Sequence, residues 1–63
     1  MTRQETLNIM LAGIIEDMSG MYSRSGMSDE EKNTYLAQAN ESFKSLCTNM
    51  YDRLLAAGVI IDA

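Results

Sequence analysis

Proline, histidine and cysteine are scarce: the 63 residues include no proline, no histidine and a single cysteine, Cys47. An internal disulfide is excluded, and one thiol cannot supply the cysteine and histidine set of a structural zinc site. The missing prolines and the 46% hydrophobic content favour continuous helices over loops or disorder. Because so short a chain forms a small core, partner chains are the remaining source of extra burial.

Long apolar runs and basic charge are scarce as well. No apolar run approaches the roughly 20 residues that span a bilayer, and the start MTRQETLN lacks the basic and apolar segments of a signal peptide. The net charge of −4 opposes broad binding to nucleic acid, which needs clustered lysine and arginine. We therefore expect a cytoplasmic protein without a membrane segment, for which nucleic acid is not the favoured partner.

The first helix is predicted from about residue 3 to about residue 22. Thr2 and Glu5 form a Thr-x-x-Glu capping box, in which each side chain satisfies a backbone amide of the other residue. Apolar residues then recur at alternating steps of four and three, which is the spacing of a heptad seam. This first seam consists of Leu7, Leu11, Ile14, Met18 and Met21.

The second helix is predicted from about residue 29 to about residue 57, after a turn at about 23–28. Ser28 and Glu31 are placed as a second capping box, and Gly58 suits the left-handed position that ends many helices. Asn40 lies on the seam of this helix and is either a buried, register-fixing amide or a hydrated one. A short apolar tail, 58–63, completes the single domain. The apolar members of this second seam are Leu36, Phe43, Cys47, Met50 and Leu54.

These features define the fold class as all-α, an antiparallel two-helix hairpin. The predicted lengths are roughly 30 and 43 Å, so the short helix would leave the far end of the long one uncovered. Two facing apolar stripes would also leave their outer margins in water. We therefore expect two hairpins to pair as a homodimer and form a four-helix bundle.

Two glycines interrupt the first helix on the side opposite its seam. Gly13 and Gly20 each cost the helix about 1 kcal/mol relative to alanine. They are either tolerated defects, with Gly20 marking a fraying helix end, or they leave the backbone bare so that another chain can approach closely. The second interpretation makes Ile9, Gly13, Glu16 and Gly20 a partner-binding outer face.

Acidic residues are predicted to gather near the turn. They either stabilise helix termini and aid solubility, or they form an acidic patch that meets a basic surface of a partner protein. No calcium-loop spacing of aspartates accompanies them, so no metal is expected. The patch consists of Glu16, Asp17, Asp29, Glu30 and Glu31.

Catalytic patterns are missing from the sequence. It contains no glycine-rich phosphate loop, no paired catalytic carboxylates and no Ser/His/Asp set. Cys47 lies among apolar seam residues and is expected to be a small buried hydrophobic residue. Since two helices also offer little concavity for a substrate, we expect neither an enzyme nor a cofactor.

The opening MTRQE, the two unequal capped helices and the chain length resemble Rop, a plasmid-encoded helical hairpin that dimerises into a four-helix bundle and binds paired RNA loops. The resemblance supports the helical-hairpin architecture and does not by itself carry RNA binding over to this chain, so a Rop-like dimeric RNA-binding regulator is an alternative. Rop-like proteins contact RNA through basic and polar residues of the first helix. Arg3 and Gln4 match that pattern here, and the corresponding surface then turns apolar or acidic between Met10 and Met18.

Binding to another protein is the function that the sequence favours most. A small acidic hairpin without catalytic residues is typical of a regulator or inhibitor of a host protein complex, as found among phages and other mobile elements. Two alternatives stay open: the Rop-like RNA-binding dimer, and a structural subunit whose seams belong to a larger helical assembly. The RNA-binding alternative predicts that RNA binding is lost on Arg3→Ala and Lys44→Ala. The structural-subunit alternative predicts that the isolated chain folds poorly.

Overall fold

A computed structural model describes residues 1–61, which form two helices joined by a short turn. Helix α1 is Arg3–Arg24 and helix α2 is Asp29–Ala56. Arg3 at the start of α1 pairs with Asp52 late in α2, so the helices are antiparallel and the predicted all-α hairpin is confirmed. Helix α1 extends two residues beyond its predicted end, and α2 ends one residue earlier than predicted. Residues 62 and 63 of the predicted tail lie outside the described residues.

The N-terminus of each helix is capped by side-chain hydrogen bonds. The Glu5 N–H donates to Thr2 Oγ1 at 3.1 Å and the Thr2 N–H donates to Glu5 Oε1 at 3.2 Å, which confirms the first capping box. The Glu31 N–H donates to Ser28 Oγ at 3.2 Å, whereas the Glu31 carboxylate accepts from the Ser28 hydroxyl at 2.9 Å. The second cap is therefore half of the predicted box, because Glu31 binds the hydroxyl of Ser28 instead of its backbone.

Both helices end in a Schellman motif built on a glycine. Gly26 and Gly58 have φ values of +81° and +75°, in the left-handed region that favours a residue without Cβ. The N–H that follows each glycine donates to a carbonyl oxygen five residues earlier, at 3.3 Å after Gly26 and 3.0 Å after Gly58. The predicted left-handed conformation of Gly58 is confirmed, and the same geometry at Gly26 forms the turn between the helices.

The core is centred on one row of α2. Its buried residues are Ala39, Cys47 and Tyr51, and Phe43 is half-buried between them. These positions are four residues apart, which is the i±4 ridge that runs obliquely across a helix. A heptad seam instead alternates steps of three and four. The ridge therefore diverges from the predicted seam along α2.

The predicted seam residues fall into two groups as a result. Cys47 is buried, and six others are half-buried: Leu7, Leu11, Ile14, Met18, Leu36 and Phe43. Met21, Met50 and Leu54 are exposed in the hairpin, and on α2 the oblique ridge leaves Met50 and Leu54 on its margin. Asn40 is exposed as well, so within the hairpin its amide faces water.

Candidate interaction surfaces

The outer face of α1 is open to solvent where the sequence predicts a partner-binding face. Ile9 is 59% exposed, a large fraction for an isoleucine. A Cβ added at Gly13 would meet no neighbouring atom within 4 Å, and Glu16 is exposed nearby. This stretch of helix therefore presents bare backbone next to an apolar side chain.

Gly20, the fourth residue of the predicted face, has a different environment. It is half-buried, and a Cβ added there would lie 3.3 Å from Nη1 of Arg24. The Arg24 side chain thus lies back along α1 over Gly20. Gly20 does not end the helix, since α1 continues to Arg24.

A shallow depression of about 430 Å³ adjoins this face. It combines carboxylate groups with thioether side chains, and the Arg24 side chain lies over Gly20 at its margin. A basic side chain with an aliphatic stem matches such a lining, because the carboxylates attract its charge and the methionines contact its stem. The lining residues are Glu16, Asp17, Met18, Gly20, Met21 and Arg24.

The five predicted acidic residues are divided between the two helices. Glu16 and Asp17 line the depression on α1, whereas Asp29, Glu30 and Glu31 occupy the first turn of α2, where negative charge favours the helix dipole. Within residues 1–61, no three acidic or cysteine side chains are grouped so that they could hold a metal ion. Over the same residues, neither helix is long and apolar enough to cross a membrane.

A small groove lies between the helices on one side of the hairpin. Its volume is about 70 Å³, well below the roughly 300 Å³ at which substrate pockets begin. Gln4 Nε2 donates to Asn8 Oδ1 at 2.8 Å, and the Thr48 hydroxyl donates to the Lys44 carbonyl at 3.0 Å. These four polar residues, Gln4, Asn8, Lys44 and Thr48, line the groove and are called the polar edge.

The opposite side of the hairpin carries exposed apolar residues, here called the apolar edge. On a helical wheel, Leu46 and Met50 each lie roughly 160° from a residue of the polar edge, since the angle is 100° per residue. Leu46 is 45% exposed and Met50 is 44% exposed. The apolar edge consists of Met21, Tyr35, Leu46, Met50 and Leu54.

Arg3 joins the open end of the hairpin. Its Nη1 lies 2.6 Å from Oδ1 of Asp52, and its guanidinium carbon lies 4.9 Å from the centroid of the Tyr51 ring. Tyr51 is 3% exposed, although the predicted helix lengths would leave the far end of the second helix, where Tyr51 lies, uncovered. Sequence reasoning missed this contact because nothing local links Arg3 to a residue so distant along the chain.

The ion pair of Arg3 with Asp52 affects the RNA-binding alternative. That interpretation uses Arg3 and Lys44 as phosphate contacts, yet the Arg3 guanidinium is already paired with a carboxylate. Lys44 is exposed on the polar edge. An Arg3→Ala substitution would therefore weaken the hairpin itself and could not report on RNA binding alone.

No protein-family model matches this chain, and neither a curated protein nor a solved structure is significantly similar to it.

Proposed function

We propose that this chain is a small, non-catalytic interaction module that regulates or inhibits a partner protein through the outer face of α1. The observation that carries the proposal is Gly13. A glycine inside a helix costs about 1 kcal/mol relative to alanine, yet a Cβ there would meet no atom of the hairpin within 4 Å. Packing within the chain therefore gives no reason for a glycine at this position.

A partner would supply the missing reason. Helices approach another backbone most closely where side chains are absent, and Gly13 offers such a place beside the exposed side chain of Ile9. Ile9 would be the apolar anchor of the contact and Glu16 its polar rim. An isolated exposed isoleucine is ordinary on protein surfaces. Ile9 differs from that case because it lies beside the bare backbone of Gly13.

The adjoining depression defines the chemistry of the partner. Its carboxylates, from Glu16 and Asp17, favour a basic side chain, and Met18 and Met21 favour apolar atoms around it. We therefore expect the partner to present a basic, amphipathic segment, such as a helix with arginine or lysine beside leucine or isoleucine.

The first turn of α2 offers a second mechanism for the same function. Asp29, Glu30 and Glu31 are exposed there and could occupy a basic site on a partner by charge complementarity. The two mechanisms differ in their salt dependence. A contact made by exposed charges weakens steeply between low and physiological salt, whereas a contact anchored by Ile9 weakens less.

The test is affinity capture with a matched pair of substitutions. Gly13→Gln places a bulky side chain on the outer face while raising helix propensity, so it should not unfold the chain. Ser45→Gln adds the same group at an exposed position of α2. The tagged wild type and both variants are incubated with a lysate of the source cells, and captured proteins are quantified by mass spectrometry.

We expect one captured protein to fall about tenfold for Gly13→Gln, equivalent to about 1.4 kcal/mol, and to be unchanged for Ser45→Gln. Circular dichroism on both variants checks that the helices are intact. Equal capture by all three proteins would exclude the outer face as the contact. Washing the wild-type complex at rising salt would then show whether the acidic turn of α2 is responsible.

A further inference from the structure

Arg24 brings a positive charge to the depression beside the outer face of α1. A Cβ added at Gly20 would lie 3.3 Å from Arg24 Nη1, so the guanidinium lies against Gly20. Side chains of a helix lean toward its N-terminus, and Gly20 is four residues before Arg24, so the arginine runs back over one turn. The missing side chain at position 20 leaves the room that the guanidinium occupies.

The guanidinium lies near the carboxylates of the depression without being fixed to them. Gly20 follows Glu16 and Asp17 by one turn, a rise of roughly 5 Å along the helix axis. Within residues 1–61, none of these three side-chain charges, from Glu16, Asp17 and Arg24, takes part in a salt bridge. Arg24 is also exposed. It is therefore attracted by the carboxylates and can still move away at small cost.

We propose that Arg24 is an internal competitor of the partner for this depression. The inference rests on the proposed function, in which Glu16 and Asp17 receive a basic side chain of the partner. Arg24 holds a positive charge at the margin that an incoming arginine or lysine would approach, and like charges repel. The partner must displace the guanidinium from Gly20 before its own cation can come close to the carboxylates.

The same contact gives Gly20 a reason to be glycine. Any side chain at position 20 would crowd the Arg24 guanidinium and push it away from the depression. The two glycines inside α1 therefore serve different purposes. Gly13 leaves room for the backbone of a partner, whereas Gly20 leaves room for a side chain of its own helix.

A competing cation changes the kind of partner that binds well. Arg24 reduces the part of the affinity that charge attraction supplies, so binding depends more on apolar contacts with Ile9 and Met21. A surface that offers only positive charge then binds weakly. An amphipathic segment keeps its apolar contribution, because that contribution does not depend on charge.

The test is the binding of a synthetic amphipathic peptide, measured by isothermal titration calorimetry at low and at physiological salt. The peptide is about 18 residues long, so that it can be helical, with arginines on one face and leucines on the other. Arg24→Gln removes the competing charge. Arg53→Gln is the matched control, because Arg53 is also an exposed arginine in the last turn of a helix but lies at the open end of the hairpin.

We expect Arg24→Gln to bind the peptide about threefold more tightly than the wild type at low salt, the scale of an exposed charge interaction. Arg53→Gln should change the affinity less, because salt screens a charge far from the depression. Gly20→Ala should also tighten binding, since its Cβ displaces the guanidinium. The double variant should bind no more tightly than Arg24→Gln alone, because both substitutions act through one side chain.

Four results would overturn the proposal. Equal tightening by Arg24→Gln and Arg53→Gln would assign the effect to net charge, and weaker binding by Arg24→Gln would mean that Arg24 contacts the peptide itself. Additive effects of Gly20→Ala and Arg24→Gln would show that the two residues act separately. No binding of the peptide to any of the proteins would mean that the depression does not receive a basic helix. Circular dichroism confirms that each variant is folded.

Failure of this inference differs from failure of the proposed function. Capture that is lost on Gly13→Gln, together with a peptide affinity that Arg24→Gln leaves unchanged, would keep the outer face as the contact and reject Arg24 as a competitor. Capture that Gly13→Gln leaves unchanged, together with tighter peptide binding by Arg24→Gln, would support the competitor and reject the outer face.

Discussion

The two ends of the hairpin are held together in different ways. At the turn, the rings of Tyr22 and Tyr35 are 6.0 Å apart, and Lys32 Nζ donates to Ser23 Oγ at 3.0 Å. Tyr35 nevertheless remains 48% exposed. At the open end, the Arg3 guanidinium covers Tyr51, which is 3% exposed.

The difference follows from chain connectivity. The turn keeps the ends of α1 and α2 adjacent whatever their side chains do, so contacts there add little restraint. Arg3 and Asp52 are about 50 residues apart, and bringing them together carries a closure entropy that the turn does not offset. The open end therefore needs buried area, which an aromatic residue supplies most effectively.

The strongest test of this contrast is to remove the buried aromatic residue. Tyr51→Ala should reduce the free energy of unfolding by about 3 kcal/mol, because it empties a buried site in a small core. Tyr35→Ala at the turn should cost about 1 kcal/mol, since that ring is half in water. Urea unfolding followed by circular dichroism measures both. Equal losses would mean that the two ends are held alike.

The turn is more sensitive to backbone than to side-chain changes. Gly26→Ala should cost about 1–2 kcal/mol, because a Cβ is strained at φ +81°. Gly58→Ala imposes similar strain at φ +75°, but only the end of α2 has to relax. The melting temperature should therefore fall more for Gly26→Ala. A larger fall for Gly58→Ala would show that the segment after α2 stabilises the hairpin.

The ion pair at the open end should contribute less than the ring beneath it. Arg3→Ala removes the pair with Asp52 and the contact with Tyr51, at a cost of about 1 kcal/mol, since both charged groups are partly exposed. Arg53→Ala removes an equal charge one residue beyond Asp52. Unfolding at low and high salt should show the difference between the two variants shrinking as salt rises. A difference that salt does not change would assign the loss to packing on Tyr51.

Substitutions in the middle of α1 should change the free energy of unfolding least, and they should raise it. Gly13→Ala should raise stability by about 0.5–1 kcal/mol, because alanine favours the helix and its Cβ meets no neighbour. Gly20→Ala should gain less, because its Cβ would displace the Arg24 guanidinium. Thermal unfolding measures both variants. A loss of stability at Gly13→Ala would reveal a contact on the outer face, such as one made in an oligomer.

The candidate surfaces were only partly predictable. Helical periodicity placed Ile9, Gly13 and Glu16 away from the seam, and the hairpin leaves all three exposed. Periodicity could not reveal that Arg24 lies over Gly20, because side-chain placement depends on rotamers as well as helix phase. It could not reveal the engagement of Arg3 either, since that contact joins residues from opposite ends of the chain.

The sequence by itself determined where the helices begin and end. Thr2 with Glu5, Ser28 with Glu31, and the two left-handed glycines act through hydrogen bonds within five residues, so neighbouring residues suffice to specify them. Only the tertiary structure decided which apolar residues form the core. A heptad seam and an i±4 ridge share many positions, and the way the other helix crosses selects between them. That choice buried Tyr51 and left Met50 and Leu54 exposed.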